Sequence, residues 1–223
     1  MVAEEQKYDS TKEINVSIPL GKTISFIIES FKDTTLYFKN HISQFTHKLL
    51  NEDELTQEFV NLLRRKTVDS PFLVGQEKKD LYHYAKGRAD FYFYSKEETA
   101  TTESFFDVEA KILTDRFSKE RKKEYVIGNN RNGGIERFKI EKHGKGLSEC
   151  GIIGFIEKGN FDFWETTING WIKNLAKFDI MWNENEILRK IEHNAEFVYL
   201  NSKVNTITSK NILLHHFWIS NLS

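Results

Sequence analysis

Cysteine is almost missing from this sequence: Cys150 stands alone, so no internal disulfide can form, and no nearby Cys or His spacing makes a zinc pattern. Proline is nearly as scarce, with two in 223 residues. Proline-rich linkers, internal repeats and low-complexity tracts are all absent, so nothing divides the chain, and residues 1–223 are expected to form a single domain. No apolar run approaches the roughly 20 residues of a membrane-spanning helix. Residues 1–13 are charged and lack the apolar centre of a signal peptide, which places the expected chain in a reducing cytoplasm with no membrane partner. An excess of either charge is missing too: the net charge of -1 excludes bulk basicity as a route to nucleic acid, so any such surface must be local.

What is present is 39% hydrophobic and 29% charged residues, enough for one sizeable core. The most informative stretch is Gly87 to Lys111, GRADFYFYSKEETATTESFFDVEAK. It parses as an aromatic strand over 88–95, a polar turn over 96–102 and a second strand over 103–112. In the second strand Phe106, Val108, Ala110 and Ile112 share one face, leaving Asp107, Glu109 and Lys111 on the other. Antiparallel pairing can bring Asp90 beside them. Gly87 permits a close approach or backbone conformation that a side chain would block.

Asp90 followed by Glu109-Ala110-Lys111 resembles the PD-(D/E)XK nuclease superfamily, with Ala89 where the family name has proline. The resemblance covers roughly residues 50–160. It implies an α/β restriction-endonuclease-like core: a helix, an antiparallel strand pair, a helix and a strand in a mixed central sheet. Residues 1–49 would be an N-terminal helical extension, and 161–223 a C-terminal elaboration of a helix and a β-hairpin.

The remaining pattern is consistent with that order. Ile14, Val16 and Ile18 alternate as a short strand, and Gly21-Lys22-Thr23 is no phosphate-binding loop because Val16 occupies the position of its first glycine. Phe38, Ile42, Phe45 and Leu49 predict an amphipathic helix, on which His41 and His47 are packing or surface residues. Asn51 and Glu54 form a capping-box pattern for a helix whose buried stripe is Leu55, Phe59, Leu62 and Leu63. Glu58 borders that stripe. Its acidity either favours the helix N-terminal half or, as the resemblance implies, joins a metal site.

Residues 64–86 read as a polar stretch with a turn at Asp69-Ser70-Pro71. Gly151–Ile156 is an apolar run expected of a buried strand, Phe161–Ala176 a helix and Glu184–Glu192 a short helix. Residues 195–201 and 211–219 form a hairpin. In it, His215 and His216 point to opposite faces and cannot chelate one ion together.

Residues 116–145 hold ten Lys or Arg against four Glu and no Asp, a local excess of six positive charges. The loop Gly128–Gly134 within it leads to a helix around Ile135–His143. Lys122, Lys123 and Arg131 are candidate phosphate contacts, against the alternative of a solvated face. Arg88, beside Asp90, is either an ion-pair partner or a further phosphate contact.

The resemblance implies a Mg²⁺-dependent phosphodiester hydrolase, a DNA endonuclease, with Mn²⁺ able to substitute and RNA not excluded as substrate. Asp90 and Glu109, with Glu58, would hold the metal, and Lys111 would orient water and stabilise charge on the phosphate. Restriction or phage defence is the implied setting, and cutting both strands would favour a homodimer. The contrasting expectation is a non-catalytic subunit that binds nucleic acid or a partner through a nuclease-like fold.

Overall fold

The computed structural model describes residues 20–79, 87–97 and 101–220. The strand expected around Ile14–Ile18 lies outside them. Helix α1 spans Leu20–Ile42, with Ile24, Ile27, Phe31, Phe38 and Ile42 as its buried stripe. Ser30, Thr34 and Thr35 are buried with it because each hydroxyl donates to the carbonyl four residues earlier. The helix predicted through Leu49 stops at Ile42, leaving Phe45 and Leu49 exposed in the turn that delivers the chain to Asn51.

Helix α2, Glu52–Lys66, starts at the expected capping box: Asn51 Oδ1 accepts from the Glu54 amide (2.9 Å), and Glu54 Oε2 accepts from the Asn51 amide (3.0 Å). Leu55, Phe59 and Leu63 are buried and Leu62 is half-buried, as the stripe requires. This cap fixes the first turn, which carries Glu52. Asn51→Ala is therefore expected to cost about 0.5–2 kcal/mol, measurable by urea unfolding as a lower midpoint at an unchanged slope.

Among the described residues seven strands make one mixed sheet in the order β1-β2-β3-β4-β7-β6-β5. They are β1 Phe72–Lys79, β2 Arg88–Ser95, β3 Ser104–Leu113, β4 Glu149–Ile156, β5 Arg189–His193, β6 Phe197–Asn205 and β7 Asn211–Ile219. The central β3, β4 and β7 are parallel, and each flank is antiparallel. Between the chain segments of β3 and β4 lie the short helices α3 (Lys119–Lys122) and α4 (Gly134–Lys139), and α5 (Phe161–Leu175) follows β4.

Alternation along the strands divides the interior in two. Phe91, Phe93, Phe106, Val108 and Phe155 join α1 and α2 on one side of the sheet, with Phe31 stacked 4.1 Å from Phe217. Ile152, Trp218 and Leu113 join Ile135, Phe138 and Trp164 from α4 and α5 on the other.

Three further expectations change. The polar stretch 64–86 contains β1, whose Phe72 and Val74 are buried while Leu73 faces out. The helix expected at Glu184–Glu192 is a single 3₁₀ turn, Glu184–Glu186, followed by β5, because Ile187 returns the backbone to extended geometry. The C-terminal hairpin is also more than an appendage: β7 pairs with β4 from Glu149 to Phe155, so β5–β7 complete the same sheet. No described helix is long and apolar enough to cross a membrane.

Candidate active site

Strand β3 turns Phe106, Val108 and Ala110 into the α1–α2 core, and Glu109 and Lys111 to the opposite side. Glu109 has no exposed surface. Its Oε1 is shared by two cations, Lys111 Nζ at 2.8 Å and the Arg137 guanidinium from α4. His143 Nδ1 lies 3.0 Å from Glu109 Oε2, yet out of line, so that both buried atoms lack a well-formed hydrogen bond.

Lys111 Nζ also donates to the Ala110 carbonyl (2.7 Å) and to Glu52 Oε1 (3.0 Å). The other Glu52 oxygen accepts from the Ile112 amide at 3.0 Å. Asp90 completes the group, its Oδ2 accepting from the Ala110 amide at 2.6 Å. The last paired residues of β2 and β3 before this point are Phe91 and Val108, so Asp90 takes a backbone donor with its side chain where the ladder ends.

These charges set one another. Burial, and then the negative charge of Glu109, push the Asp90 carboxyl up to about 7. Burial acts in the same direction on Glu109, but Lys111, His143 and Arg137 outweigh it and hold that carboxyl down to about 2. Burial opposes the charge on Lys111, and Glu109, Glu52 and Asp90 reverse the effect, raising its pKa above the ordinary lysine value.

Sequence and structure agree on Asp90, Glu109 and Lys111 as neighbours, and disagree on the helix carboxylate. Glu58, expected at the metal position, instead accepts a hydrogen bond from His41 Nε2 of α1 at 2.6 Å. The α2 residue that meets Lys111 is Glu52. The two positions are six residues apart, about 9 Å along the helix and about 240° around it, so they cannot serve one point. Arg88 is exposed two residues before Asp90 on the same face of β2. Arg131 is exposed on the 3₁₀ turn Asn129–Arg131. Its carbonyl and the Asn132 side chain receive Lys142 Nζ (3.4 and 2.9 Å). Lys122 and Lys123, half-buried where α3 runs into the turn Lys123–Tyr125, make no contact with the carboxylates.

Arg137 and His143 are the other site residues that the sequence pattern did not single out. Both lie in a stretch rich in basic residues, and the charge pattern there does not tell which side chains turn inward. The expectation for Gly87 holds: a Cβ there would run into the His143 ring and the Lys142 carbonyl, which accepts from the Gly87 amide at 3.1 Å. His215 and His216 each have separate partners, Tyr199 and Glu149 for one and Tyr125 and Ser202 for the other.

The fold and site define an α/β protein with a seven-stranded mixed sheet and a buried carboxylate–lysine centre at its middle. Compared with family models, characterised proteins and solved structures, the chain matches none.

Proposed function

We propose that this protein is a divalent-metal-dependent phosphodiester hydrolase, a DNA endonuclease of the PD-(D/E)XK type. One observation carries the reading: the Lys111 ammonium sits in a cradle made wholly of oxygen, from Glu109, Glu52 and the Ala110 carbonyl, with Asp90 on the adjacent amide.

The donor set fits a hard cation. It offers three carboxylates and a carbonyl, and Glu109 Oε2 is buried without a hydrogen-bond partner. Glu109 and Glu52 are closed on the ammonium and Asp90 on the Ala110 amide, and among the described residues no three His, Cys, Asp or Glu side chains form a ready metal cluster. Asp90, Glu109 and Glu52 are the residues that would hold Mg²⁺, or Mn²⁺ in its place, with Glu52 in the role expected of Glu58. Such an ion supplies concentrated positive charge for an anionic substrate and for the water that attacks it.

The chain's own groups have definite tasks. Lys111, buried and charged, stabilises negative charge growing on the phosphate oxygens. Arg137 anchors one guanidinium nitrogen on Glu109 and is partly exposed, so its remaining N–H groups are positioned for a phosphate oxygen. Asp90, with its pKa near neutrality, changes charge in the range where the reaction would run.

The test is cleavage of DNA by purified protein. Activity should disappear with a chelator, return with Mg²⁺ or Mn²⁺, and be abolished in Asp90→Ala and Glu109→Ala proteins that keep the wild-type circular dichroism. Undiminished cleavage by both variants would sink the assignment, and absence of cleavage by the wild-type protein on single- and double-stranded substrates would favour the binding-subunit reading.

A further inference from the structure

Two buried polar atoms of the centre face each other without a bond. Glu109 Oε2 and His143 Nδ1 stand 3.0 Å apart, and each lacks a hydrogen-bond partner although Glu109 has no exposed surface and His143 is only 3% exposed. Polar atoms withdrawn from water are nearly always paired, so an orphaned carboxylate oxygen beside an orphaned ring nitrogen points to a ligand that both would share. The other oxygen of this carboxylate is already taken, by Lys111 and Arg137. Oε2 is therefore the edge of Glu109 left for a further bond.

The imidazole is fixed in that direction. After α4 the chain reverses through Glu141 and Gly144, both at positive φ (56° and 63°), and the Gly144 amide donates to Asp107 Oδ2 at 3.3 Å. The Phe138 ring meets the His143 ring edge-on with centroids 5.9 Å apart, and Gly87 closes on the Cδ2–Nε2 side. Both contacts leave Nδ1 turned toward Glu109. A histidine that merely donated to the carboxylate would need its N–H in line with Oε2, and at this separation the direction fails although the distance would serve.

We infer that His143 Nδ1 and Glu109 Oε2 are paired ligands of one divalent transition-metal ion, Mn²⁺ or a later member of its row, which the site takes in preference to Mg²⁺. This rests on the hydrolase reading above and deepens it by adding a nitrogen to the oxygens assigned to the ion. Two ligands about 2.1 Å from an octahedral ion and at right angles to each other stand about 3.0 Å apart, which is the separation of these two atoms. Mg²⁺ is a hard ion that binds oxygen and gives up its waters reluctantly, so a buried pair with one imidazole nitrogen suits it poorly. Transition-metal ions accept that nitrogen readily.

The experiment adds Mn²⁺ alone to the purified protein, without DNA, and reads the bound ion by electron paramagnetic resonance. In the wild-type protein the ion should show the nitrogen hyperfine coupling of a directly bound imidazole, a result that depends on no variant folding. Competition should show Mn²⁺ held about ten-fold or more tightly than Mg²⁺. His143→Gln can still offer Glu109 an N–H, or a metal an oxygen, but not a ring nitrogen. It should lose the coupling, and the ratio of the two affinities should fall by about ten-fold. Failure to bind Mn²⁺, or Mn²⁺ bound without the coupling, would overturn the proposal, as would equal wild-type affinities for the two ions or an unchanged ratio in His143→Gln. Coupling without metal-dependent DNA cleavage would leave the ion site standing and sink the hydrolase; Mg²⁺-dependent cleavage without coupling would do the reverse.

Discussion

Lys111→Ala is expected to cleave DNA roughly 10²–10³ more slowly than wild type in single-turnover measurements, while Mg²⁺ and DNA binding change by only a few fold. The ammonium is buried between Glu109 and Glu52, its charge enforced by both, so it is held in place before substrate arrives. A preorganised charge of this kind acts most strongly on the charge that builds on the phosphate during reaction, and less on docking. Removing it also leaves carboxylates facing one another, so the metal-free variant should melt lower than wild type and recover when Mg²⁺ is added. Lys111→Arg should rescue the rate poorly, because a planar guanidinium cannot place a compact charge at the point now shared by Glu109, Glu52 and the Ala110 carbonyl. Wild-type single-turnover rates in Lys111→Ala would reduce this residue to a structural ion pair.

Asp90→Asn should do the opposite to stability and the same to function. The carboxyl sits at about 7 when folded, against an ordinary value of 3.8, so the fold favours its protonated form. That contribution is fully present below about pH 4 and is lost as the pH rises through about 7. At pH 8 the wild-type protein carries an ionised Asp90 beside an ionised Glu109, whereas the amide carries no charge and still offers an oxygen to the Ala110 amide.

The full linkage of about three pKa units would be worth about 4 kcal/mol, and residual solvent contact at Asp90 reduces the expectation to about 2 kcal/mol. For a chain of this length that is an increase of about 4–8 °C in Tm at pH 8 without metal, shrinking toward zero by about pH 4. Added Mg²⁺ should raise the Tm of wild type and leave that of Asp90→Asn unchanged. A variant less stable than wild type at pH 8 in EDTA would show that Asp90 is not the strained member of this centre.

Much of the centre was legible because it depends on short-range geometry. Period-two alternation set Glu109 and Lys111 on one face of β3, and antiparallel pairing of β2 with β3 let Asp90 reach the Ala110 amide. The cap of α2 was equally local. What could not be read depends on contacts distant in sequence.

Glu58 and Glu52 lie on one helix, and only the way α2 docks on β3 decides that Glu52 faces the lysine. Arg137 and His143 turn inward among neighbours of the same charge for the same reason. Strand β1 was hidden because its apolar pair, Phe72 and Val74, is followed at once by Gly75-Gln76-Glu77, which reads as a polar turn. The final strands looked like an appendage, since nothing in 195–219 records that β7 lies parallel to β4.

The bond from the Ile112 amide to Glu52 gives β3 an unusual dependence. Glu52 reaches the strand from a different element, and its position follows from the cap at Asn51. Exchange of the Ile112 amide proton with solvent therefore measures how long the first turn of α2 stays docked, separately from the integrity of the sheet. A brief fraying of that one turn would uncover the proton and withdraw a carboxylate from Lys111 at the same moment, so the centre can come apart while every strand remains in place.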